Sequence, residues 1–391
     1  MRNSEGNKVY DLLQGIRVID FTHVWQGPVA TLLLADLGAD VLKIERPGKG
    51  DWSRSWGPFV NGVSLPFAGL NRNKRSIDLD LKTLEGKDAL QKLLAHADVL
   101  VHNFRPGVDR KMGIDFESLS ERHPHLIHAS ASGWGEKGPD AERGRAGHAQ
   151  MAAAEGGLFS PATDMSLPQP PTISVDYLAG MLLSNAILAA LVSRQRTGKG
   201  CQVFTDLHSA ALTAHVWGGP ELLNTGGFDE GDVNLTLSEK TIRHSWQTSD
   251  GFIEISPVFS DNPLRLICSG LELPDLTEDP QFSTPVSQYQ NKDRLSEILG
   301  NRLLERTSAE WLEALEAKGI LCAQILSPTQ ALNTPQSAAN SMVVTVEHPA
   351  AGPLNLIGCA IRTNQSSRPS RPPPVTGQHT DEVFRELGVQ L

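Results

Sequence analysis

The 391-residue chain reads as an α/β protein with a large domain followed by a smaller one. Three observations predict this. Short β-rich runs alternate with stretches of helical spacing through the first half, which is the order of successive βα units. Glycine-bearing loops follow the strand candidates, where α/β sheets hold their ligands. After residue 222 the sequence turns polar and glycine-bearing before apolar periodicity resumes. The expected division is 1–222 as the N-terminal part of a large domain, 223–330 as a small α/β domain, and 331–391 as a segment returning to the large one.

Residues 16–20, IRVID, form the first strand candidate, and FTHVWQGP follows as its loop. ATLLLADLGAD then has helical spacing, stops at Gly38 and leads into the apolar run 41–44. Strand, loop, helix and strand in that order make a βαβ unit. Thr83 has the hydroxyl to cap a helix on which Leu90, Leu93 and Leu94 share a face, and 99–101 follows as a strand. A further strand over 126–129 runs into the glycine-rich segment 133–157, GWGEKGPDAERGRAGHAQMAAAEGG. Repeated βα units with short links imply a mostly parallel, Rossmann-like sheet covered on both faces. Residues 176–196 are apolar nearly all round and read as a helix buried in the fold or against a partner, stopped at Gly198. In the small domain DGFIEI is a strand candidate, and 293–304 and 309–318 have helical spacing. The proline- and glycine-rich stretch 349–374 reads as extended chain, and 379–387 as a short closing helix.

Composition excludes several function classes. A net charge of −10 argues against a general nucleic-acid binder. Four scattered cysteines without CxxC spacing suit reduced thiols and predict no metal site. The first residues lack the apolar core of a signal peptide, and the apolar run 178–192 is shorter than a bilayer span, so a cytoplasmic chain off the membrane is expected. There is neither a GxGxxG fingerprint nor a Walker loop, which makes NAD and ATP poor candidates.

Charge is unevenly placed. Residues 43–111 carry 13 Lys and Arg against 8 Asp and Glu, a basic island that suits an anionic small molecule. A solvated helix face accounts for Lys82, Lys87 and Lys92. Arg46, Arg54, the run Asn71-Arg72-Asn73-Lys74-Arg75, and Asn103-Phe104-Arg105 sit in loops beside strand ends, where ligand binding is the better reading.

The segments KIERPGKGDWSR, NRNKRSIDLDLK and VHNFRPGVDRKMG resemble those of the family III CoA-transferases, the group of formyl-CoA transferase, carnitine CoA-transferase and α-methylacyl-CoA racemase. GIRVIDFTHVWQGP, RTGKGCQVFTDLHSAAL and RPPPVTGQHTDEVFRELG resemble further family segments, so the likeness spans nearly the whole chain, weakest over about 220–309. The resemblance implies that the basic loops, through to Lys111, hold coenzyme A, and that His23, Trp25 and Gln26 approach the thioester. It also implies acyl-CoA and carboxylate substrates, an interlocked dimer of two-domain chains, and transfer through an aspartyl nucleophile.

That aspartate is expected in a GYD or GHD triplet before a small-residue helix. Here the triplet is Gly147-His148-Ala149. A methyl group at 149 cannot attack a thioester, and three readings stay open: an inactivated or divergent transferase, a non-catalytic CoA-binding subunit of a heteromeric enzyme, or other chemistry with His148 as base, as in the racemase branch.

Overall fold

A computed structural model describes residues 8–159, 174–225, 245–256 and 260–389. The chain divides into two compact units, Met1–Gly219 with Pro335–Leu391, and Pro220–Thr334.

Six parallel strands form the sheet of the first unit: β1 Arg17–Asp20, β2 Asp40–Glu45, β3 Arg75–Asp78, β4 Val99–His102, β5 Ile127–Ser132 and β6 Gln202–Asp206. Their order is β3-β2-β1-β4-β5-β6, the doubly wound order that reverses between β1 and β4. Strand side chains alternate between faces, so each apolar strand feeds two cores. Ile19, Leu42, Ile77 and Leu100 pack with Leu90, Leu93 and Leu94 of the helix Leu84–Ala95, and with Val383 and Phe384 of the helix Thr380–Glu386. Val18, Val41, Val99, Val101, Ile127 and Ala129 pack on the opposite face. That face is covered by α1 (Gln26–Asp36) and by the 23-residue helix Val175–Thr197.

The long helix runs one residue past the expected 176–196 at each end. By length and composition alone it could cross a bilayer, but here it lies against α1, β5 and β6. Small residues let it approach closely: a Cβ on Gly180 would meet Val29 Cβ at 2.6 Å and the Gln26 carbonyl oxygen at 2.7 Å. The first turn of α1 therefore touches the second turn of the long helix.

Two strands were not expected. β3 lies inside a segment read as a ligand loop, and β6 inside RTGKGCQVFTDLH. The proline- and glycine-rich stretch is more regular than extended chain. Within it Gly352–Ile357 forms a hairpin with Val343–His348, which precedes the stretch, and Ser367–Pro369 pairs antiparallel with Lys8–Tyr10.

In the second unit three antiparallel strands, Ser245–Gln247, Phe252–Ser256 and Leu321–Gln324, pack against helices Pro263–Gly270, Lys292–Leu303 and Ser308–Glu316. Trp311 is fully buried at its centre and donates from Nε1 to the Leu303 carbonyl at 2.8 Å. The polar stretch 226–244, expected to open this domain, lies outside the described residues.

Candidate active site

A cavity of about 1430 Å³ opens in the first unit, and the C-terminal end of every sheet strand contributes to its wall. Open α/β sheets bind ligands there, at the point where strand order reverses. The loops that leave β1 and β4 meet at that point. The His23 N–H donates to Asn103 Oδ1 at 2.9 Å, and Asn103 Nδ2 donates back to the His23 carbonyl at 2.8 Å.

One end of the cavity is basic and aromatic. Arg46, Lys49, Lys82, Lys87, Arg105 and Lys111 line it, all exposed, and none has an ion-pair partner among the described residues. Trp25, Trp52, Trp56 and Phe104 share the wall. Unpaired cations beside flat apolar rings suit a ligand that carries both phosphates and a purine. Lys82 and Lys87 thus face the cavity instead of forming a solvated helix face, whereas exposed Lys92 pairs with Asp88.

The structure does not bring five of the expected binding residues to this wall. Arg72 and Asn73 donate to buried Asp36. Lys74 is buried against Asp20 at 3.2 Å and Thr31 at 2.8 Å. Arg75 forks onto Asp40 and reaches Glu382 and Glu386. Arg54 forks onto Glu45 at 2.7 and 2.5 Å and covers the Phe67 ring at 3.7 Å. A basic run can hide in a core when each cation meets a carboxylate, and here all four do. His23, Trp25, Gln26, Arg46, Asn103, Phe104, Arg105, Lys111, His148 and Ala149 do line the cavity.

The other end is built from the glycine segment. Gly133 and Gly147 bring two loops into backbone contact, since a Cβ on either would lie 2.3 Å from the other's Cα. Trp134 Nε1 donates to the Ala146 carbonyl at 3.1 Å, Arg145 stacks on Trp134 at 4.0 Å and forks onto Glu155. His148 caps the helix Ala149–Glu155, its Nδ1 accepting from the Gln150 N–H at 3.3 Å. Ala149 is the first residue of that helix, and its methyl group packs on the apolar cluster of Val175, Ala179 and Leu207.

Sequence reasoning missed Asp176. It lies in the first turn of the helix Val175–Thr197, which Ser174 caps, and it lines the cavity with His148 and Ala149. Three carboxylates line the cavity. Glu45 is taken by Arg54, and Asp80 accepts from the Lys82 N–H at 3.0 Å. Asp176 accepts no hydrogen bond among the described residues. Burial pushes its carboxyl up to about 6, against the opposing pull of His148. The helix N-terminus favours the anion, so desolvation outweighs the dipole here. The signal was present in SVDYLAG: one acid, two residues after a capping serine, opening an apolar helix.

Behind Phe104, His102, Asp109 and His128 bring three donor atoms within 4.8 Å of one another. The Phe104 N–H points at His102 Nδ1 (3.4 Å), which places the His102 proton on Nε2. His128 Nε2 meets the Ile114 carbonyl at 2.8 Å. One imidazole lone pair and one carboxylate remain, fewer than the three or four ligands of a zinc site. The His102 ring instead stacks on Phe104, centroids 5.3 Å apart.

The profile of CoA-transferase family III matches residues 13–380. The chain belongs to CoA-transferase family III. Across 96% of its length it is 34% identical to the mouse (Mus musculus) succinyl-CoA:glutarate CoA-transferase, covering 86% of that protein. It is 32% identical to the formyl-CoA:oxalate CoA-transferase of Rhodopseudomonas palustris (strain BisA53), covering 96% of this chain and 93% of that one. The crystal structure of a CaiB/BaiF family protein from Brucella suis superposes with a TM-score of 0.82 at 28% identity, over 95% of this chain and 98% of that one. Family III relatives take CoA thioesters as substrates, which is the ligand class that the basic, aromatic end suits.

Proposed function

We propose that the chain is an active CoA transferase, moving CoA from an acyl-CoA to a free carboxylic acid, with Asp176 as the nucleophile. The observation that carries this reading is a carboxylate without a hydrogen-bond or ion-pair partner among the described residues, with raised pKa, at the glycine-built end of a cavity whose other end suits CoA. A carboxylate at 149 is then unnecessary, because Ala149 serves packing.

In this reading an Asp176 oxygen attacks the thioester carbonyl and the CoA thiolate leaves, giving a mixed anhydride. The thiolate then attacks the aspartyl carbonyl of that anhydride, releasing the first acid as its carboxylate and leaving an aspartyl–CoA thioester. The acceptor carboxylate attacks this thioester and expels the thiolate. The thiolate returns to the acyl carbonyl, which frees the new acyl-CoA and Asp176. Each tetrahedral intermediate carries an oxyanion, and backbone N–H groups of the glycine loops and of the two helix N-termini supply neutral donors there. Gln26, held by its Nε2 donation to the Ser132 carbonyl at 3.1 Å, adds a polar side chain on the same wall. The named relatives act with glutarate and oxalate, so dicarboxylic acids are the acceptors to try first.

Incubation with an acyl-CoA and a dicarboxylate, quenched with hydroxylamine, should leave a hydroxamate at residue 176, located by peptide mass spectrometry. Transfer without an adduct at 176, or an adduct elsewhere, would remove Asp176 from this role. The placement of His148 near Asp176 also favours a second reading, proton exchange at the α-carbon of a 2-methylacyl-CoA. Deuterium wash-in without CoA transfer would select it.

A further inference from the structure

Beneath the loop from β1 to α1 lies a buried ion pair that the mechanism above leaves unused. Lys43 and Asp51 are 0% and 1% exposed, with Lys43 Nζ 2.9 Å from Asp51 Oδ2. Both hold the underside of the loop. Lys43 Nζ donates to the Thr22 carbonyl at 2.7 Å, and the Val24 N–H donates to Asp51 Oδ1 at 3.1 Å. Asp51 is itself fixed, because its own N–H donates to Glu45 Oε2 at 2.8 Å and its carboxylate accepts from Ser53.

The residue so held is strained. Val24 has a φ of 71°, a left-handed conformation that a β-branched side chain strongly disfavours. Such strain persists only where the surroundings over-determine it, and it gathers at functional sites. From the other side, Asn103 exchanges hydrogen bonds with the His23 backbone. The bend at Val24 is thus gripped from two directions, and the side chains on either side of it, His23, Trp25 and Gln26, line the cavity. A pair kept for stability alone has no use for a strained valine, and buried pairs are weak stabilisers against apolar replacements.

We propose that Asp51, acting with Lys43, is a positioning residue for CoA transfer: the buried pair fixes the left-handed bend at Val24 and so aims His23, Trp25 and Gln26 at the thioester. This rests on reading the cavity as the transfer site. The carboxylate touches no substrate, so its effect falls on the rate of the bound complex. A misplacement of about 1 Å is enough to lower a rate roughly 10²-fold.

Steady-state kinetics and thermal unfolding of three variants test it. Asp51→Ala should lower kcat roughly 10²-fold with the KM for acyl-CoA little changed. Asp51→Glu, which keeps the charge but displaces the carboxylate by one methylene, should show the same split and serves if Asp51→Ala does not fold. Glycine takes a positive φ without steric cost. Adding Val24→Gly to the impaired variant should therefore recover about tenfold or more of kcat while its unfolding temperature stays low. An unchanged kcat in a folded Asp51 variant overturns the proposal, as does a loss that Val24→Gly does not relieve. A wild-type chain without transfer activity would overturn the transferase reading instead, so the two failures are distinct.

Discussion

Asp176 answers to two opposed demands. With its pKa pushed up to about 6, it stands above the ordinary value near 4. Between those values the folded chain holds a proton that the unfolded chain has lost, so this group's contribution to stability falls as pH rises through that window. At neutral pH the residue is ionised, the form the proposed nucleophile needs, at a cost to the fold. Asp176→Asn should abolish transfer, on the order of 10⁴-fold or more, yet melt at a higher temperature than wild type above pH 6, with the gain gone near pH 4. The wild-type rate should fall as pH drops through about 6. Rate–pH profiles with melts at both ends check this, and a variant that melts lower at pH 7 would contradict the assignment. The arginines make a second contrast. Arg75 is 5% exposed and shared among three carboxylates, whereas Arg105 is exposed on the cavity wall without an ion-pair partner among the described residues. Arg105→Ala should weaken acyl-CoA binding by about 1.5–3 kcal/mol, the range for a hydrogen bond to a charged group. Arg75→Ala should leave binding unchanged and lower the unfolding midpoint. Calorimetric titration beside denaturant melts separates the two, and equal loss of affinity in both would return Arg75 to the site.

At the scale of elements, the site depends on how closely two helices pack. Gly180 allows the first turn of α1 to meet the long helix one turn beyond Asp176, and Gln26 and Asp176 both line the cavity. Gly180→Ala places a methyl group against backbone, so the helices must part. Overpacking of this kind costs typically about 1–3 kcal/mol. The expected outcome is a folded, less stable enzyme that loses transfer rate more than acyl-CoA affinity, and a variant as fast as wild type would show that the crossing has slack. The same elements show what was legible. Strands such as β1 and β4 announce themselves because a strand buried on both faces reads as an apolar run, and β2 does so despite Lys43 within it. β3 did not, since RNKR precedes its apolar residues and only the fold supplies Asp36, Asp20 and Asp40 to neutralise them. The cavity's outline was legible in its glycines and in Arg46, Arg105 and Lys111. Asp176 was not, because a lone acid in an apolar helix carries weaker local information than a histidine in a glycine-rich triplet.

For the whole molecule, the two edges of the main sheet differ. Edge strand β3 is covered by the helix Thr380–Glu386, and the His379 N–H donates to the Ser76 carbonyl at 3.0 Å. Edge strand β6 exposes Phe204, and beside it the long helix exposes Tyr177, Met181 and Val192 along the face turned away from α1. An open strand edge flanked by large apolar side chains is a liability that proteins ordinarily cover. The family resemblance supplies the occupant, a second copy of this chain, and we propose that two copies interlock there. Interlocking differs from simple docking, because separated chains then lose structure along with contacts, and the apparent stability depends on chain concentration. The dimer should therefore stay intact on dilution until it unfolds. Light scattering on a sizing column, followed from micromolar to nanomolar chain, checks this, and a folded species at the 42.4 kDa of one chain would rule the arrangement out.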